Sequence, residues 1–108
     1  MKLKNLASLM TLFRYNSKGG QVSSLAVECF LHVAEAPRTI AELCTLTGAK
    51  TAHVNRAVRS YTPCLDGEVL ITPDMHLLTR KKRAQPLRGY TIHLSKGGKQ
   101  FLKQAGIS

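Results

Sequence analysis

The stretch TIAELCTLTGAKTAHVNRAVRSY, Thr39 to Tyr61, constrains the fold of this chain more than any other. Thr39 and Glu42 have capping-box spacing, in which each side chain satisfies an otherwise unpaired backbone N–H at a helix start. A helix therefore begins here, with Ile40, Leu43 and Cys44 pointing inward. It is short, because Gly48 closes it. A second helix follows almost at once. Val54, Ala57, Val58 and Tyr61 recur at three- and four-residue steps and form its buried stripe. Ala52, His53, Asn55, Arg56, Arg59 and Ser60 occupy the opposite face, and Pro63 stops the helix. Two short helices joined through a glycine-containing turn make a helix-turn-helix.

The flanking chain reads as further helices and one hairpin. Leu3, Leu6, Met10 and Phe13, with Leu9 beside them, lie on one face of a helix from about Leu3 to Tyr15; NSKGGQ breaks it. Ser23 or Ser24 caps a helix running to about Ala36, with Ala26, Cys29, Phe30 and Val33 inward and Pro37 at its end. CLDGEVLITPD reads as a loop with a short strand at Val69–Ile71. Residues Met75 to Lys82 read as a strand, and the alternating Tyr90–Leu94 as its antiparallel partner. RAQPLRG lies between them. Ser95 begins a last helix that carries Phe101 and Leu102, is ringed by Lys96, Lys99 and Lys103, and ends at Gly106.

The expected fold is mainly α with a small antiparallel β-hairpin (α+β), a winged helix-turn-helix whose wing is the hairpin. One domain spanning 1–108 is expected, because a chain of this length buries roughly 60–70% of its unfolded surface without staples. Its parts are an N-terminal helix (1–16), the helix-turn-helix (39–61), the wing (75–94) and a C-terminal helix (95–105).

Charge narrows the partners. The net charge is +10, and it is unevenly placed. From Met75 to Ser108 there are eight Lys or Arg and no Asp or Glu; residues 1–74 set eight Lys or Arg against six acids. Such a basic side favours a polyanion, nucleic acid first and an anionic membrane surface second. The absence of Trp and an aromatic content of 6% argue against a broad stacking platform for single strands.

Catalysis and metal binding find no support in the sequence. No nucleophile–base set, phosphate loop or metal set is visible, so an enzyme is not expected. His32, His53, His76 and His93 fall on different elements, with no pair at helical spacing. Cys29, Cys44 and Cys64 are an odd number at wide spacings, as in a reduced intracellular protein without structural disulfides. Cys29 and Cys44 belong to apolar faces; Cys64, in the 64–75 segment, is the one candidate for a redox-sensing thiol. The basic, then apolar N-terminus is interrupted by Lys4, Asn5 and Arg14, unlike a signal peptide, and no segment is long enough to span a bilayer. No cofactor and no membrane partner are expected.

From Gln21 to Leu102 the chain resembles the MarR-type winged-helix regulators. Thr39, Glu42, Leu43 and Gly48 fall on that family's T-x-x-E-L-x-x-x-x-G pattern. Val54, Arg56 and Val58 fall on its recognition helix, and Ile92, Leu94, Ser95 and Gly98 on its wing exit, V-x-L-T-x-x-G. The resemblance implies a dimeric, sequence-specific DNA-binding transcription regulator in the cytoplasm, nucleoid-associated, in a prokaryotic, phage or plasmid context. Four departures stand out. The family's helix-capping Ser is replaced near Lys50, and the wing tip has no bracing Asp. The 64–75 insertion is longer than usual. No long dimerisation helix follows Leu102, so the expected dimer leans on Leu6, Leu9, Met10 and Phe13, a stripe that would otherwise be ordinary core.

The residues themselves supply a compatible mechanism. A helix in the major groove presents its solvent face to base edges. Arg56 has the donors for guanine and Asn55 the amide for adenine, while Lys50, Thr51, His53 and Arg59 are placed for phosphates or bases. The wing residues Arg80, Lys81, Lys82, Arg83 and Arg88 meet phosphates or the minor groove. Phosphate contacts add affinity and salt dependence but do not read sequence directly. Arg56 and Arg59 on an exposed face are, in most proteins, only solvated charge; their helix-turn-helix setting is what points to bases. Arg80–Arg83 alone also fits a solvated strand end or a nuclear localisation signal, and the alternating strand after it favours a hairpin. A two-fold dimer implies a palindromic duplex operator, and a chain this small without an activation domain is expected to repress by occupying a promoter. The alternatives are a winged-helix protein of replication, partition or nucleoprotein assembly, and a protein-interaction adaptor that does not bind DNA.

Overall fold

Four aromatic rings from four parts of the chain meet at one point. Phe13 packs edge-on against Phe30, with centroids 5.3 Å apart, against Phe101 at 4.7 Å, and at a tilt against Tyr61 at 5.6 Å. Around them the computed structural model, which describes residues 3–17, 22–66, 69–71, 75–84 and 89–107, places five helices and four strands. The helices are α1 (Leu3–Asn16), α2 (Ser24–Glu35), α3 (Ile40–Thr47), α4 (Thr51–Arg59) and α5 (Lys96–Gln104). The strands are β1 (Cys64–Asp66), β2 (Val69–Ile71), β3 (Leu78–Lys82) and β4 (Tyr90–Leu94), and they pair as two antiparallel two-stranded sheets, β1–β2 and β3–β4. The fold is thus mainly helical with small antiparallel sheets, an α+β arrangement.

Local chemistry sets most of the boundaries. The Ser23 hydroxyl accepts the Ala26 N–H at the start of α2. The Thr39–Glu42 capping box forms in both directions, at 3.0 and 3.1 Å. Its hydrogen bonds from Thr39 hold the Glu42 carboxyl below the usual range, with the charges of Arg38 and Arg83 adding to the effect. Gly48 ends α3 at φ 73°, a backbone state that a Cβ disfavours. Ser95 caps α5 by accepting the Gly98 N–H, while its own hydroxyl donates to the His76 carbonyl at 2.6 Å. Gly98 allows this close seating, since a Cβ there would lie 2.2 Å from the Leu77 carbonyl oxygen.

The core takes the predicted inward faces of α2 and α4: Ala26, Cys29, Phe30 and Val33, and Val54, Ala57, Val58 and Tyr61. On α3 only Leu43 is fully buried; Ile40 and Cys44 lie at the core's edge. Burial, with smaller contributions from Glu28 and Cys44, pushes the Cys29 thiol up to about 11, which keeps it protonated and unreactive.

Three expectations need correcting. Leu9 and Phe13 are 0% exposed and belong to the protomer's own core, so they are not free to meet a second copy. An amphipathic stripe looks the same in sequence whichever surface covers it. Leu6 and Met10, at 37% and 38%, remain at the surface. Second, the strand expected from Met75 begins at Leu78. The N–H groups of Leu77 and Leu78 both go to the Tyr61 carbonyl, and the Leu77 carbonyl accepts from Ser95, so this stretch ties the end of α4 to the start of α5. Third, Cys64–Asp66, read as loop, is a strand that pairs residue for residue with the expected strand Val69–Ile71.

One further tie fixes the frame. Arg38, between α2 and α3, exchanges both backbone hydrogen bonds with Ile92 in the middle of β4, at 2.7 and 3.1 Å. No helix among the described residues is long and apolar enough to cross a membrane.

Candidate nucleic-acid interface

α4 follows α3 after a three-residue turn, Gly48–Lys50, and packs against both α2 and α3. Its buried stripe turns the other side to solvent: Thr51, Ala52, His53, Asn55, Arg56, Arg59 and Ser60 are all exposed. Ala52, Arg56 and Arg59, at i, i+4 and i+7, run down the middle of that face. Asn55 lies on the flank toward the hairpin and His53 on the flank toward α2, beside Ser23 and Leu25. Lys50 stands at the N-cap and makes no side-chain capping bond, so the first N–H groups of α4 have no side-chain partner there.

The hairpin supplies the basic side. Its register pairs Leu78 with Leu94, Arg80 with Ile92 and Lys82 with Tyr90, and cross-strand partners share a face. Leu78 and Ile92 are buried, so the face carrying Arg80, Lys82 and Tyr90 is the one turned toward the helices. Arg80 lies over the Tyr90 ring, 5.6 Å from its centroid. Lys81 points to the other face, next to His93; burial and then the Lys81 charge lower the pKa of that imidazole. The four consecutive basic residues therefore do not share one face of the hairpin. Arg83 continues the ladder by one bond, from its N–H to the Gly89 carbonyl at 3.1 Å. Arg88 lies outside the described residues, as does the side chain of Cys64.

Helix and hairpin meet over a cavity of about 440 Å³. Asn55 and Arg59 line it from α4, Arg80 and Tyr90 from the hairpin, with Arg83 beyond the end of β3 and Thr39 from the start of α3. Among the described residues the one ion pair within 4.0 Å is Arg38–Glu35, at 3.5 Å, and it involves no basic side chain of α4 or β3. The basic side chains of α4 and β3 thus have no described carboxylate at that range. Among the described residues no three His, Cys, Asp or Glu side chains gather to hold a metal ion.

Of the residues expected to contact DNA, Lys50, Thr51, His53, Asn55, Arg56 and Arg59 share the exposed side of α4 and its N-terminus. Arg80 and Arg83 join Asn55 and Arg59 at the cavity; Lys81 does not. Tyr90 was not foreseen as part of this surface, although it is 53% exposed and supports Arg80. Its signal was the alternation Tyr90-Thr91-Ile92, which puts it on the face of a core residue. No family model matches the chain, and no curated protein or solved structure shows a significant match to it.

Proposed function

We propose that this chain is a sequence-specific double-stranded DNA-binding protein, a winged helix-turn-helix regulator of MarR type that represses transcription as a homodimer. One observation carries the reading. The solvent face of α4, with Arg56 at its centre, stands clear of the core beside a hairpin whose cations lack described carboxylate partners. In this reading α4 enters the major groove, where Arg56 offers a bidentate contact to guanine and Asn55 to adenine. The hairpin follows the backbone or minor groove and contributes sequence-independent affinity. Repression follows from occupancy alone.

The direct test is selection of bound duplexes from a random pool, which is expected to return an inverted repeat with half-sites about one helical turn apart. Arg56→Ala is expected to cost about 1–3 kcal/mol on the selected site and to relax preference at one base pair per half-site. Full discrimination in that variant removes α4 from the base-reading role.

The dimer is assigned to the part of α1 left uncovered, Leu6 and Met10 with Leu3 beside them. The double variant Leu6→Lys, Met10→Lys is expected to halve the mass seen by light scattering while leaving helicity intact. An unchanged dimeric mass moves the interface elsewhere.

A further inference from the structure

The cavity between α4 and the hairpin holds an electrostatic problem that base reading does not solve. Arg59, Arg80 and Arg83 all line it, from two different elements and the segment beyond β3. Like charges around one concavity repel, and here no described carboxylate lies within 4.0 Å to offset them. The closest candidate in charge terms is Glu42, which feels Arg83 but makes no ion pair with it within 4.0 Å, its Oε1 held by the Thr39 N–H at 3.0 Å. Arg83 is also half-buried, so its charge is partly withdrawn from water. The Tyr90 ring holds Arg80 from one side, which fixes the guanidinium without neutralising it.

A multivalent oxyanion resolves this arrangement. A phosphate group has several acceptor oxygens and accepts forked bonds from more than one guanidinium, which a single carboxylate cannot do for all three. The cavity is also roomier than a bare phosphate needs, leaving space for the ester group that carries it. Thr39, at the start of α3, adds a neutral polar side chain to the lining.

We propose that this cavity is a phosphate cradle. It takes one phosphate group among Arg59, Arg80 and Arg83, carried either by a duplex backbone or by a free phosphate ester. With a backbone phosphate the inference rests on the DNA-binding reading above, and the cradle locks α4 and the hairpin to one point of the strand. With a free ester it stands without that reading, and such a solute would compete with a polyanion for the same place.

The test uses the full chain in two arms, with chloride holding ionic strength constant. In the first, inorganic phosphate and phenyl phosphate are titrated while the side-chain Nε–H resonances of arginine are followed. Saturable shifts are expected at Arg59, Arg80 and Arg83. They should weaken about tenfold or more in Arg59→Gln, Arg83→Gln, and stay unchanged in Lys103→Gln on α5, all three proteins having equal helicity. In the second arm, a selected duplex carries single neutral methylphosphonate linkages. One position per half-site is expected to weaken the unaltered protein about tenfold and the double arginine variant little.

Coupling in the second arm assigns the cradle to the backbone. Saturable phosphate binding without duplex affinity assigns it to a free ester and removes the DNA reading. Saturable binding together with duplex affinity but no coupled linkage also assigns the ester. Duplex binding with non-saturating shifts and no coupled linkage overturns the cradle and leaves the DNA reading standing. Failure of both arms overturns both.

Discussion

Phe13→Ala is expected to lower the stability of this protein by about 3–5 kcal/mol, the usual cost of emptying a buried phenyl site. Phe13 is fully buried and its ring touches Phe30 of α2, Tyr61 at the end of α4 and Phe101 of α5. Truncation removes transfer energy, leaves a cavity, and deletes edge-to-face contacts worth roughly 0.5–1.5 kcal/mol each beyond burial. A domain of this size has only about 5–15 kcal/mol in total, so a midpoint drop of at least about 10 °C follows. Urea unfolding followed by circular dichroism measures it. A loss under about 1 kcal/mol would mean that α1 is not docked on the core. Light scattering on the same variant separates the two roles of the α1 stripe: a destabilised protein of unchanged oligomeric mass assigns Phe13 to the fold and leaves the proposed association to Leu6 and Met10.

Under the proposed DNA-binding function, replacing Arg80, Lys81, Lys82 and Arg83 by Gln is expected to weaken binding to all duplexes alike and to reduce the salt dependence. Each lost phosphate contact lowers the slope of log K against log salt by about 0.9. Four contacts would remove about 3.6, but the hairpin register argues for fewer. Arg80 and Lys82 share the face turned toward the helices, Arg83 reaches the same cavity, and Lys81 lies on the reverse with His93. The expected drop is therefore roughly 2–3 in slope, and Lys81→Gln alone should change it least of the four. Fluorescence anisotropy across about 50–200 mM salt, the range where such contacts change affinity most visibly, measures both. An unchanged slope in the quadruple variant would remove the hairpin from the interface.

Legibility in the sequence followed the range of the forces involved. The α3–α4 pair was legible because its signals are local. Thr39 and Glu42 satisfy each other's turn, Gly48 takes the left-handed state, and the Val54–Tyr61 stripe has helical period. The exposed side of α4 followed from that stripe by subtraction. What failed depended on distant partners. Leu9 and Phe13 could not be assigned to core or interface without knowing that Phe101, far along the chain, closes over Phe13. Cys64–Asp66 has no alternation of its own and becomes a strand by pairing with Val69–Ile71. The arginine-lined cavity was illegible because three separate regions build it, and only the register of β3 against β4 tells Arg80 from Lys81.

The paired bonds between Arg38 and Ile92 bear on how this protein can change over generations. They run from backbone to backbone, so neither bond uses a side-chain atom; proline, which lacks the N–H, removes one outright, and buried Ile92 must still fit the core. They fasten the entry to α3 directly onto the middle of β4. The relation between the helix pair and the hairpin is thus held by atoms that every residue carries. Letters on the outer face of α4, all exposed and outside the core, are free to change while the scaffold that presents them keeps its shape.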